Sequence, residues 1–151
     1  MKETIEKFYS AFQHRDAQTM NGCYHEDVVF EDPGFGVLKG DDARAMWSML
    51  CQNAKDFRLE YSNLTQNSAH WEAWYTFSRT GRRVHNIIDA QFEFEGNKII
   101  KHTDHFNLHR WASQAMGWQG RLLGGTGFFK KKLHQSTRKL LDDFKAKAAN
   151  K

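Results

Sequence analysis

Between Phe57 and Leu108 the apolar residues alternate with polar ones instead of recurring every three or four positions. Phe57, Leu59 and Tyr61 form one such run, and Trp71, Ala73, Tyr75 and Phe77 a second. Val84, Ile88, Ala90, Phe92 and Phe94 form a third, and residues 99–108 a fourth. A period of two with β-branched and aromatic residues is the signature of half-buried strands. Thr80-Gly81 and Gly96-Asn97 supply tight turns, so consecutive strands must run antiparallel.

Helical periodicity flanks this block. Ile5, Phe8, Tyr9 and Phe12 share one face of a helix over residues 2–15. Asp16 is a suitable N-cap for a short second helix reaching Met20 and Tyr24. Val28-Val29-Phe30 reads as a short strand that Asp32-Pro33-Gly34 ends. Residues 41–53 form another helix through Ala43, Met46, Trp47 and Leu50. Beyond a short helix at 111–116 and a glycine-rich stretch, a long helix spans about 128–147, with Leu133, Thr137, Leu140, Leu141, Phe144 and Ala148 on its buried side. The order predicts an α+β fold.

Length suits one folded unit, since 151 residues can bury a sizeable core. With 40% hydrophobic and 26% charged residues, disorder and collagen-like fibres are excluded. No apolar run is long enough to span a membrane, and MKETIEKF carries no signal-peptide core. Cys23 and Cys51 suit reduced thiols in the cytoplasm better than a disulfide framework.

Charge is unevenly placed. Residues 109–151 hold ten Lys and Arg against Asp142 and Asp143 alone, whereas the preceding part is net acidic. A basic tail of this kind points to an anionic partner, nucleic acid or a membrane surface. The plainer reading, preferred here, is a solvated helix face that complements the acidic body.

A two-residue turn at Gly96-Asn97 sets the pairing of the last two strands. Phe94 then faces Ile99, Gln91 faces His102, and Asp89 faces Asp104. Two carboxylates so placed repel, and one relieves this by keeping its proton. His85, Ile87, Ile100, His102 and Phe106 would share that face, a mixed lining suited to a small-molecule pocket. The opposite face, with Val84, Ile88, Phe92 and Ile99, is the other candidate core, and a β-bulge would shift the pairing by one residue.

KFYSAFQHRDAQTMNGCYHEDVVFEDP, from Lys7 to Pro33, and IIDAQFEFEGNKIIKHTDHF resemble the NTF2-like superfamily, in its SnoaL-like and ketosteroid-isomerase-like branch. The resemblance implies an NTF2-like (cystatin-like) cone over residues 1–108, in which a curved antiparallel sheet wraps around N-terminal helices. Residues 109–151 would be a basic helical C-terminal extension packed on the same domain and capping its open end. It also implies a homodimer. Glu31-Asp32-Pro33 resembles the turn that carries the isomerases' general base, and Ile88-Asp89 resembles the site of their proton-holding aspartate. Asp104 matches the acid on the last strand of SnoaL-type cyclases. The tyrosine that isomerases carry on helix 1 falls at Phe8, which has no hydroxyl, so ketosteroid isomerisation itself is disfavoured.

These readings lead to two hypotheses. In one, the protein is an isomerase, cyclase or hydrolase acting on a small apolar or carbonyl-bearing ligand. Asp32, Asp89 and Asp104 would be catalytic, and Tyr24, Trp47, His85, His102 and Phe106 would bind substrate. In the other, it is a non-catalytic ligand-binding or protein-interaction module. No cofactor is expected. His85, His102 and Asp104 are the residues that could together hold a metal, but the chain has no tight ligand motif and no metal is expected.

Overall fold

The computed structural model describes residues 1–150. The chain runs α1 (Lys2–Gln13), α2 (Ala17–Gly22), β1 (Tyr24–Asp32), β2 (Gly36–Lys39) and α3 (Asp41–Asn53). Next come β3 (Arg58–Ser62), β4 (Ser68–Phe77), β5 (Arg82–Glu95) and β6 (Lys98–His105). The chain ends in α4 (Leu108–Met116), α5 (Trp118–Leu123) and α6 (Gly127–Ala149). The strands form one curved sheet in the order β2-β1-β6-β5-β4-β3. All neighbours are antiparallel except β1 and β6, which run parallel. A parallel pair needs a long crossover, and here most of the fold lies between the two strands.

Local sequence explains most elements. Asp16 caps α2 by accepting from the Thr19 N–H at 3.0 Å. The first strand is longer than Val28–Phe30, and Tyr24 opens it rather than closing α2. Strand β2 was not expected. It is four residues long with only Leu38 buried, too short to show a period.

α1 lays Ile5, Phe8, Tyr9 and Phe12 against the inner face of the sheet, each at most 2% exposed. Trp47 of α3 joins them with Phe30, Trp71, Ile88 and Phe92. Each such side chain contributes about 1.5–3 kcal/mol on full burial.

The pairing of β5 with β6 decides which residues point inward. Glu95 faces Lys98 and Phe94 faces Ile99, as the turn predicts. Glu93 then faces Lys101, so Ile100 is an extra residue, a β-bulge. Beyond it Phe92 faces His102, Ala90 faces Asp104, and Asp89 faces His105. The expected opposition of Asp89 and Asp104 is therefore not formed. Because side chains alternate, the extra residue turns His102 and Asp104 to the same inner face as Ile99.

The C-terminal helices close over this frame. Trp111 of α4 donates its indole N–H to the Tyr75 hydroxyl at 2.8 Å, and Arg82 Nε donates to the Gln114 carbonyl at 2.8 Å. α6 is pinned to the β1–β2 turn, where His134 Nε2 donates to the Pro33 carbonyl at 2.8 Å and the Thr137 hydroxyl to that of Gly34 at 3.0 Å. Lys145 and Arg138 both bond Asp42 of α3 and hold its carboxyl below the usual range. Leu133 and Leu141 are buried, but Leu140, expected inside, is 54% exposed, and Ala148 is also exposed. Leu140 sits about 100° around the helix from Leu141, beyond the narrow contact stripe.

Candidate functional site

Asp32 ends β1 on the same face as Val28 and Phe30. Proline follows it, and the chain turns so that Asp32 Oδ1 accepts from the backbone N–H groups of Gly34 at 2.9 Å and Phe35 at 2.6 Å. Burial raises its pKa to about 7. The two N–H bonds oppose that rise, and the charges of Asp104 and Glu31 add to it. A carboxyl poised near neutrality can both take and give a proton.

Deeper inside, four aromatic or imidazole side chains and one carboxylate form a hydrogen-bonded chain. The Trp47 indole N–H donates to the Tyr24 hydroxyl at 2.7 Å. That hydroxyl lies 2.7 Å from His102 Nδ1, and His102 Nε2 lies 2.8 Å from Asp104 Oδ1. An indole can only donate, so the chain is satisfied throughout if Tyr24 donates to a neutral His102, which donates to Asp104. Trp71 Nε1 also donates to Asp104 Oδ1, at 3.5 Å. Both donors among the described residues fall on Oδ1, which leaves Oδ2 for another partner. His102 is fully buried, with Phe92 at 4.4 Å, Phe30 at 5.1 Å, Phe8 at 5.5 Å and Trp47 at 5.9 Å between ring centroids.

The Tyr9 hydroxyl is buried and has no hydrogen-bond partner among the described residues. Burial, then the charge on Asp104, push its pKa well above the usual value, so it remains a donor. An orphaned buried hydroxyl costs about 1–3 kcal/mol, a cost that a ligand acceptor would remove. Tyr9 is a functional candidate missed from the sequence. The available signal was a polar tip on a residue of the core-facing stripe of α1.

The structure brings together some of the expected residues and separates others. Asp32, Asp104, His102, Tyr24 and Trp47 all face the interior. Tyr24 and Trp47 are core residues bonded to each other. Phe106 is half-buried beside the Asp32 turn. A Cβ on Gly34 would stand 3.7 Å from Asp32 Oδ1 and 4.0 Å from Phe106 Cζ. Asp89 and His85 lie on the outer face of the sheet. The Asp89 side chain is 72% exposed and bonds His70 at 2.8 Å. His85 stacks on Trp74 at 4.5 Å and bonds Glu72 at 2.7 Å. The bulge at Ile100 explains the separation, because β5 keeps its alternation while β6 changes face. The carboxyl whose pKa is raised by burial and then by the charge of Asp104 is therefore Asp32, not Asp89. His85 does not join His102 and Asp104, and no group of three metal-ligating side chains assembles among the described residues. No helix among them is long and apolar enough to cross a membrane.

The SnoaL-like domain model matches residues 5–102, from α1 into β6. No curated protein matches the chain significantly in sequence. Solved structures share its fold. Bal32a, from a soil-derived mobile gene cassette, is 21% identical with a TM-score of 0.63 over 74% of this chain and 93% of its own. An NTF2-like protein of unknown function from Burkholderia pseudomallei K96243 is 19% identical with a TM-score of 0.62, over 76% and 95%. SalBIII, an epoxide hydrolase/cyclase-like enzyme with a role in pyran ring formation in the polyether salinomycin, is 17% identical with a TM-score of 0.61, over 71% and 90%. A general small-molecule-binding or enzymatic role goes with this architecture. On the match over most of its folded frame, the chain belongs to the SnoaL-like domain family.

Proposed function

We propose that the protein is an acid/base enzyme acting on a small, apolar, carbonyl-bearing substrate. The observation that carries this reading is Asp32, a half-buried carboxyl whose pKa desolvation raises to about 7, within electrostatic reach of the buried carboxylate Asp104. Asp32 transfers the proton. The free Tyr9 hydroxyl donates to the oxygen on which negative charge develops, and Asp104 Oδ2, which no described donor occupies, is the second group assigned to it. Trp47, Tyr24 and His102 hold Asp104 in place, and Phe106 packs on the substrate's apolar part. Ring closure is one reaction this proposal covers; SalBIII, a structural neighbour, acts in pyran ring formation. A homodimer in the cytoplasm, with both buried thiols reduced, completes the reading.

The test is α-proton exchange of a panel of cyclic ketones in D2O, followed by NMR. Asp32→Asn should slow exchange by about 10²–10⁴-fold with an unchanged circular dichroism spectrum. Equal exchange by both proteins would remove Asp32 from the mechanism. A second reading, a binding module without turnover, draws on the dense ring packing around His102. It predicts ligand retention by wild type and Asp32→Asn alike, with no exchange by either.

A further inference from the structure

Residues 105–141 contain no Asp or Glu, and within eleven residues of that stretch the fold exposes four large apolar side chains. Trp118 is 70% exposed, Leu122 69%, Leu123 48% and Phe128 65%. Two glycines explain why α5 presents Trp118 and Leu122. A Cβ on Gly120 would stand 1.9 Å from the Ala112 carbonyl oxygen, and one on Gly124 2.7 Å from the Ala112 Cβ. The helix backbone thus presses directly on α4 through its glycine side. Trp118 and Leu122 each lie about 160° around the helix from Gly120, so they project away from the body. Arg121 sits between them in sequence, and Phe128 is followed by Lys130, Lys131 and Lys132. The ammonium of Lys132 lies 5.6 Å from the Phe128 ring centroid.

We infer that the α5 surface and the start of α6 dock on an anionic membrane surface. Leu122 and Leu123 would be wasted on a nucleic acid, whose phosphates offer nothing apolar to them. A bilayer takes both parts. Trp118, Leu122 and Phe128 enter the headgroup boundary, where amphipathic aromatic rings are favoured. Arg121 and Lys130–Lys132 meet the negative lipid phosphates, with no carboxylate nearby in sequence to oppose them. The contact is peripheral.

Sedimentation of the full chain with vesicles tests this. Vesicles of phosphatidylcholine with 30% phosphatidylserine, a composition chosen for about −30 to −50 mV of surface potential, should pull the protein down, and pure phosphatidylcholine should not. Binding should weaken as salt rises. Lys130→Gln/Lys131→Gln/Lys132→Gln should lower the partition coefficient by about 100-fold, at about fivefold per lysine. Trp118→Ser/Leu122→Ser should abolish binding with the melting temperature unchanged, because neither side chain is packed. Equal binding to both vesicle types, or to neither, overturns the inference. So does a concentration-dependent dimer that the Trp118→Ser/Leu122→Ser variant dissolves in the absence of vesicle binding, which would assign the patch to a second copy. Duplex-DNA binding without vesicle binding overturns it as well.

Discussion

The two faces of the sheet carry the same chemical pair in opposite surroundings. Inside, His102 and Asp104 are bonded at 2.8 Å with side chains 0% and 3% exposed. Outside, His70 and Asp89 are bonded at the same distance with side chains 24% and 72% exposed. The inner pair has its polar atoms tied into a chain of buried donors, so the loss of one member leaves the others stranded. The outer pair can always turn to water. Equal distances therefore carry unequal energies, and desolvation makes the difference.

The sharpest way to break this comparison is His102→Leu against His70→Leu. The inner substitution strands the Tyr24 hydroxyl and Asp104, and should cost about 3–5 kcal/mol in urea unfolding. The outer one should cost about 1 kcal/mol or less. Similar costs at both sites would show that the inner chain is wetter than its burial implies.

A pH titration sharpens the same contrast. The folded pKa of Asp32 is raised to about 7, above its unfolded value near 3.8. Its stabilising contribution is therefore complete below pH 4 and is lost as pH rises through 7. Asp32→Asn should flatten that part of the stability profile and gain about 2 kcal/mol at pH 8, a figure reduced for the carboxyl's remaining contact with water. His70 is also raised, first by its bond to Asp89, so its small contribution is present below about pH 6.5 and fades above it. A profile unchanged in Asp32→Asn would contradict the assigned desolvation.

Tyr9→Phe should move stability and function in opposite directions. Removal of an unpartnered buried hydroxyl should leave the melting temperature unchanged or raise it by the equivalent of about 1 kcal/mol. α-Proton exchange should fall at the same time. A loss of stability would reveal a hidden partner for the hydroxyl. Asp89→Asn should have the smallest effect, within about 0.5 kcal/mol and with exchange intact, as expected of an exposed side chain.

Much of the architecture was legible because periodicity and turn chemistry are local. Ile5, Phe8 and Phe12 marked the buried face of α1, Asp16 marked a cap, and Gly96-Asn97 marked the last hairpin. Strand β2 was missed because four residues show no period, and its place on the edge beside β1 depends on distant chain. The site was only half legible. Glu31-Asp32-Pro33 and Asp104 stood out, but Asp89 and His85 were assigned to the wrong side. Both errors came from one residue, Ile100, whose bulge no local pattern announces.

The sequence by itself determined most of the segments that become helix or strand, β2 and α5 excepted, and that the last two strands pair at their turn. It did so because each of those choices is made over a few neighbouring residues by apolar spacing and by turn and capping chemistry. Only the tertiary structure decided that β1 lies parallel to β6, that the sheet faces inward at His102 and Asp104, and that Tyr9 is left without a partner. Those outcomes depend on how surfaces far apart in the chain fill one interior, where one extra residue in a strand exchanges the dry face for the wet one.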